Sequence, residues 1–156
     1  MCGWVPSAGQ VSLSVSVGWG DTTFYATVLS KMKETVAERC KEASEAGCSP
    51  PLRPLDVAKV VREVTAALTF LHDLKDGAGQ TRAYCHNDVN PWIIMLSQNV
   101  EAVLVDFDSC KRLGTPHDKG TARGWGDGGP RSTKENDFAG LTRVALFMRA
   151  AFKDGI

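Results

Sequence analysis

The chain has no net charge, no long apolar run and no paired cysteines, and each lack removes a class of function. Its 18 basic residues balance 18 acidic ones, so neither a nucleic-acid footprint nor a basic membrane patch is expected. No apolar run approaches the roughly 18 residues a membrane helix needs. The N-terminus also lacks the basic-then-apolar pattern of a secretory signal. The five cysteines, Cys2, Cys40, Cys48, Cys85 and Cys110, are odd in number and scattered, with no CxxC pair. Zinc is therefore not expected, and a reduced cytoplasmic or nuclear setting is. There are no internal repeats and no long low-complexity tract.

What is present is enough for one modest core. The 156 residues are 43% apolar and 23% charged, the composition of a globular domain. Residues 11–17 alternate Val11, Leu13, Val15 and Val17 with serines, a half-buried strand. Gly18 to Asp21 reads as a turn and Thr22 to Leu29 as a second strand, so the two form a predicted hairpin. Lys31 to Ala46 is a predicted helix with Met32, Val36, Ala37 and Cys40 on one stripe, ended by Gly47. Pro50, Pro51 and Pro54 mark a loop. Asp56 is the predicted N-cap of the strongest helix, in which Val57, Val60, Val61, Val64, Leu68 and Leu71 recur at helical spacing to about Leu74. Ile93 to Leu96 and Ala102 to Val105 are short predicted strands. Residues 111–134 have few apolar residues and no period, a long loop of the kind that carries function. Asn136 to Phe152 is helical again, with Phe138, Leu141, Val144, Ala145 and Met148 as its predicted apolar face.

Two isolated acids carry the chemistry. Asp88 lies in Tyr84-Cys85-His86-Asn87-Asp88-Val89-Asn90-Pro91, and Asp106 follows 18 residues later in Val105-Asp106-Phe107-Asp108. Each ends a short apolar run, and a predicted turn, Ser97-Gln98-Asn99, separates the strands between them. This pattern points to phosphoryl transfer, one acid orienting a hydroxyl and the other holding Mg²⁺ against phosphates. Asp108 reads as a turn cap. Cys85 and Cys110 read as small packed residues, and His72 as a contact at the end of its helix.

The order of these motifs resembles the C-terminal lobe of protein kinases, and above all the divergent fungal-type serine/threonine protein kinase-like family. His86 to Pro91 is similar to the HRDLKP catalytic loop, and Asp106-Phe107-Asp108 to DFG. Lys119-Gly120-Thr121-Ala122-Arg123-Gly124-Trp125 looks like the end of an activation segment. Glu135-Asn136-Asp137-Phe138 is similar to the start of the helix whose buried aspartate ties down the catalytic loop. The resemblance covers about residues 11–152. It implies an α+β partial kinase-like fold, mostly helical, with residues 1–32 as a remnant of the N-lobe (last two strands and hinge) and 33–156 as a truncated C-lobe.

By the same resemblance Asp88 is the catalytic aspartate, accepting or orienting the proton of a substrate hydroxyl, and Asp106 the metal ligand. His86 and Asp137 support the catalytic loop, and Asn90 and Lys119 are candidates for phosphate or substrate contact. ATP and Mg²⁺ are the implied cofactors, and a protein substrate or protein partner is the implied partner. Departures are local. Asn87 stands where the family has an arginine that meets an activation-loop phosphate, and Asn90 where it has a lysine. Ile93 stands where it has an asparagine that binds a second Mg²⁺, and an isoleucine cannot ligate a metal. No GxGxxG loop followed by a strand and no VAIK-type lysine occurs in the sequence. Three readings therefore stay open. They are a serine/threonine protein kinase whose activity is weak or lost, a non-catalytic pseudokinase-like binding module, and a small-molecule kinase of the choline or aminoglycoside type.

Overall fold

The computed structural model describes residues 13–19, 22–28, 32–46, 52–75, 78–116, 124–125 and 129–150, the first two stretches by backbone alone. The chain divides into two compact units, Met1–Met32 and Lys33–Ile156. It mixes helices with small antiparallel sheets and is α+β in class.

The first unit contains an antiparallel hairpin of β1 (Leu13–Trp19) and β2 (Thr22–Val28), in register from Leu13 opposite Val28 to Trp19 opposite Thr22. The sequence places a turn from Gly18. The ladder instead continues through Gly18 and Trp19, which pair with Thr23 and Thr22. Residues 11, 12 and 29 of the predicted strands lie outside the described residues.

The second unit opens with β3 (Glu34–Thr35), which runs into α1 (Val36–Glu45). The helix predicted from Lys31 therefore starts later. Thr35 sets its start by a capping box, in which its hydroxyl accepts the Glu38 N–H at 3.1 Å and the Glu38 carboxylate accepts the Thr35 N–H at 2.7 Å. The next helix, α2 (Pro54–His72), begins two residues before the predicted cap. Pro54 supplies a φ pre-set for the first helical turn and needs no N–H partner there. Asp56 sits inside that turn and pairs with the Arg53 guanidinium at 2.8 Å. Of its predicted stripe, Val57, Val60, Val64, Leu68 and Leu71 are buried, and Val61 is half-buried against the core. Burying each such side chain contributes about 1.5–3 kcal/mol.

The remaining elements are short. β4 (Tyr84–Cys85) precedes the Asp88 loop, β5 (Ile94–Leu96) and β6 (Ala102–Leu104) flank a tight turn, and a single 3₁₀ turn covers Phe107–Ser109. β7 (Lys111–Arg112) and α3 (Lys134–Ala150) follow. β3, β5 and β6 form one antiparallel sheet in that order, and β4 pairs with β7. The start of the predicted long loop is thus a strand. No period announced β7, because two residues are too few to carry one.

The described core joins Val36 and Cys40 of α1, the α2 stripe, Ile94 and Leu96 of β5, Leu104 of β6, and Leu141, Val144 and Met148 of α3. α3 buries Leu141, Val144 and Met148 of its predicted face, but the buried stripe is extended at its N-terminal end by residues outside that face. Asn136, Asp137 and Gly140 are inside, whereas Phe138 is 36% exposed. Asp137 takes an inward position because the loop beside it offers backbone N–H donors. Among the described residues, no helix is long and apolar enough to cross a membrane.

Candidate functional site

The loop from His86 to Ile93 is held from three sides. α1 donates the Ala37 N–H to the Pro91 carbonyl at 3.1 Å. The end of β6 is tied in by Val105 N–H to the Ile93 carbonyl at 3.0 Å. From α3, the Asp137 carboxylate accepts the backbone N–H of His86 at Oδ2 (2.8 Å) and that of Asn87 at Oδ1 (2.7 Å). His72, on the last turn of α2, completes the carboxylate's shell with Nε2 at 2.8 Å from Oδ2. A carboxylate only accepts, so His72 carries its proton on Nε2. Asp137 is fully buried, and these donors replace the water it has lost.

The imidazole of His86 links the two acidic loops. Its Nε2 lies 3.1 Å from the Val105 carbonyl, one residue before Asp106, and its ring packs against Phe107 with centroids 5.0 Å apart. Burial pushes the His86 pKa below its ordinary value, against the opposing charges of Asp137, Asp88 and Asp106. It is therefore neutral at pH 7, with Nε2–H donating. The residues after and before these contacts, Asn87 and Asp106, both adopt left-handed backbone, with φ of 66° and 63°. Asn and Asp are the side chains that tolerate this region best.

Asp88 is partly exposed at the mouth of the loop. The Asn90 amide donates to its carboxylate at 3.0 Å and to its carbonyl at 3.1 Å. The same amide's oxygen accepts the Trp92 N–H at 3.0 Å. Asn90, proposed from sequence for phosphate or substrate contact, is buried and spends both ends of its amide on the loop. It orients Asp88. Asp106 is exposed at the end of the β6 segment, before the 3₁₀ turn, and Asp108 accepts the Ser109 hydroxyl at 3.2 Å. Ile93 is buried in the core. Lys119 and Arg123 lie outside the described residues.

Trp125 docks by edge-on contacts with Trp92 (5.9 Å) and Phe147 (5.8 Å). Gly140 lets α3 approach the Asp88 loop. A Cβ there would stand 2.6 Å from the Val89 carbonyl oxygen.

His72, Cys85 and Asp137 also place one ligand-type atom each within 4.8 Å of one another. Their chemistry does not suit a cation. Both Asp137 oxygens are committed to N–H donors, and burial, with the charges of Asp137 and Glu135, pushes the Cys85 thiol up to about 12. The trio is a hydrogen-bonded His72–Asp137 pair beside a buried thiol.

Sequence reasoning missed the His72 contact, reading it as a helix-end interaction. A signal was present: His72 continues the buried Leu68 and Leu71 stripe, and an ionisable group on an apolar stripe needs a buried partner. It also missed the Asn87 side chain, whose amide reaches three segments.

No family model matches the chain. It is similar to a U-box domain-containing protein, number 33, of Arabidopsis thaliana, at 35% identity over 65 residues. That stretch is 42% of this chain and 7% of the plant protein, so the chain spans well under a tenth of that relative's length.

Proposed function

We propose that the Lys33–Ile156 unit is the larger lobe of a protein-kinase-like domain, with ATP-dependent phosphoryl transfer to Ser or Thr of proteins as the ancestral activity. In this chain that activity is weak or lost, and the lobe acts chiefly as a protein-binding module. The observation that carries the reading is the Asp137 carboxylate, which holds the His86 and Asn87 N–H groups while the His86 ring holds the Val105 carbonyl. One buried hub thereby fixes the loops of both acids, which positional catalysis requires.

In this reading Asp88 accepts the proton of an acceptor hydroxyl, aimed by Asn90, and Asp106 offers carboxylate oxygens to a Mg²⁺ that neutralises phosphate charge. The residues fit one metal better than two. Ile93 lies in the core without a donor or acceptor, and Asn90 is turned inward. Loss of a second cation and of a lysine's charge removes transition-state stabilisation while leaving the scaffold intact. That asymmetry favours the binding module over a competent enzyme.

The test is the thermal midpoint of the full chain titrated with Mg²⁺-ATP, because a ligand that binds only the native state raises it. The expected result is a small rise that Asp106→Asn abolishes, with phosphate transfer to protein acceptors near background. No rise at millimolar nucleotide overturns a retained nucleotide and Mg²⁺ site and leaves the protein-binding reading alone. A rise that survives Asp106→Asn removes Asp106 from the metal role. Ile93→Asn is not a clean restoration, since it buries an amide in the core.

A further inference from the structure

We infer that the Asn87 side chain is a latch, needing no covalent modification, that closes the neck of the 113–132 excursion and couples it to the Asp88 loop. The neck is a defined structure. Gly114 N–H donates to the Ser132 carbonyl at 2.8 Å, and Ser132 N–H donates to the Thr115 carbonyl at 2.9 Å. The Arg131 guanidinium donates to the Gly114 carbonyl at 2.8 Å, and Pro116 and Arg131 form an isolated bridge. The chain therefore leaves and returns at one place.

Beneath that place lies Asn87, 1% exposed. Its Nδ2 donates to the Ser132 hydroxyl at 3.0 Å, to the Ser109 carbonyl at 3.0 Å and, more distantly, to the Cys85 carbonyl at 3.3 Å. The two carbonyls decide which way the amide points, because the flipped amide would set its oxygen against both. One –NH₂ group thus ties β4, the turn after Asp106 and the returning strand of the neck. The backbone N–H of the same residue is held by Asp137, so the neck cannot shift without moving a residue that also anchors the Asp88 loop.

The chemistry sets the latch apart from one closed by an added phosphate. The amide is neutral, and its N–H donors are committed to neutral oxygens. The partners Ser109 and Ser132 are buried as well, at 9% and 0% exposure, so the bonds are shielded from water. The latch is closed by the amino-acid sequence itself, and it holds whether or not the chain transfers phosphate.

Amide exchange of the full, unmodified chain, read residue by residue by NMR, tests this. Gly114 and Ser132 amides are expected to be protected in the unmodified protein. Ser132→Ala, which removes one hydroxyl, and Asn87→Gly, which keeps the left-handed backbone but removes the amide, are each expected to speed exchange at Gly114 and Ser132 about tenfold. The His86 and Asn87 amides are expected to follow in part, with Val60 and Val64 of α2 unchanged. The double variant should add little to either single one. Ser132→Ala carries the result if Asn87→Gly does not fold. Unprotected neck amides in the unmodified protein overturn the latch, as does wild-type protection in Ser132→Ala. Neck amides that speed up without the His86 and Asn87 amides overturn the coupling, and equal acceleration throughout α2 reduces Asn87 to a general contributor to stability.

Discussion

Asp137 and His86 show how much a single side chain decides in this fold. Asp137 brings a charge into a site of zero exposure and is balanced by two backbone N–H groups and His72. His86 does the reverse, staying neutral in a place where gaining charge is costly. Its pKa is lowered in the folded state from an ordinary 6.5, first by burial. The unfolded chain therefore binds a proton more readily than the folded one between those two values. Stability from this group is full above about pH 6.5 and is lost as pH falls through the folded value. The urea midpoint is expected to drop from pH 7 to pH 5, with a slope from His86 of at most about 1.4 kcal/mol per pH unit. In His86→Gln, which can still donate to the Val105 carbonyl but does not titrate, the drop should shrink. Equal slopes in the two proteins would assign the acid sensitivity elsewhere. The positions of His86 and Asp137 were legible from motif order. The His72 contact was not, because it joins residues 65 apart and only the packing of α2 on α3 creates it.

Helices were read from the sequence more surely than strands, for a physical reason. α2 repeats its apolar spacing over five turns, so most of its buried stripe could be named in advance, Val61 and His72 apart. β4 and β7 contain two residues each and owe their pairing to the loops they clamp. α3 lies between these cases. Its helical period was clear, and Leu141, Val144 and Met148 were placed inside correctly, but the N-terminal end of its buried face was misassigned. The apolar criterion chose Phe138 and passed over Asp137 and Gly140, which face inward for hydrogen bonding and close approach. Gly140→Ala exposes that contact. Alanine improves intrinsic helix propensity by about 1 kcal/mol. The added Cβ would nevertheless meet the Val89 carbonyl oxygen at 2.6 Å and the Val89 Cβ at 2.9 Å, and backbone cannot swing aside as a side-chain tip can. Overpacking of this kind costs roughly 1–3 kcal/mol and should win. A lower urea midpoint for Gly140→Ala is expected, and a higher one would show that α3 can retreat from the Asp88 loop without loss.

At the scale of the whole molecule, the Lys33–Ile156 unit holds a contiguous core running from Val36 to Met148 among the described residues. A polypeptide of residues 33–156 is long enough to bury such a core. It is expected to fold alone with a single cooperative urea transition, followed by far-ultraviolet circular dichroism and tryptophan fluorescence. Non-coincident transitions, or none, would show that residues 1–32 are needed to complete it. By itself the sequence determined the apolar stripe of α2 and the hairpin, because both depend on local periodicity, while the α+β class was implied only through the resemblance carried by motif order. Tertiary structure alone decided which polar groups turn inward, that Asn90 serves Asp88, that Asn87 closes the neck at Ser132 and that His72 meets Asp137. Those choices follow from burial, where each donor and acceptor cut off from water must find its partner across the fold.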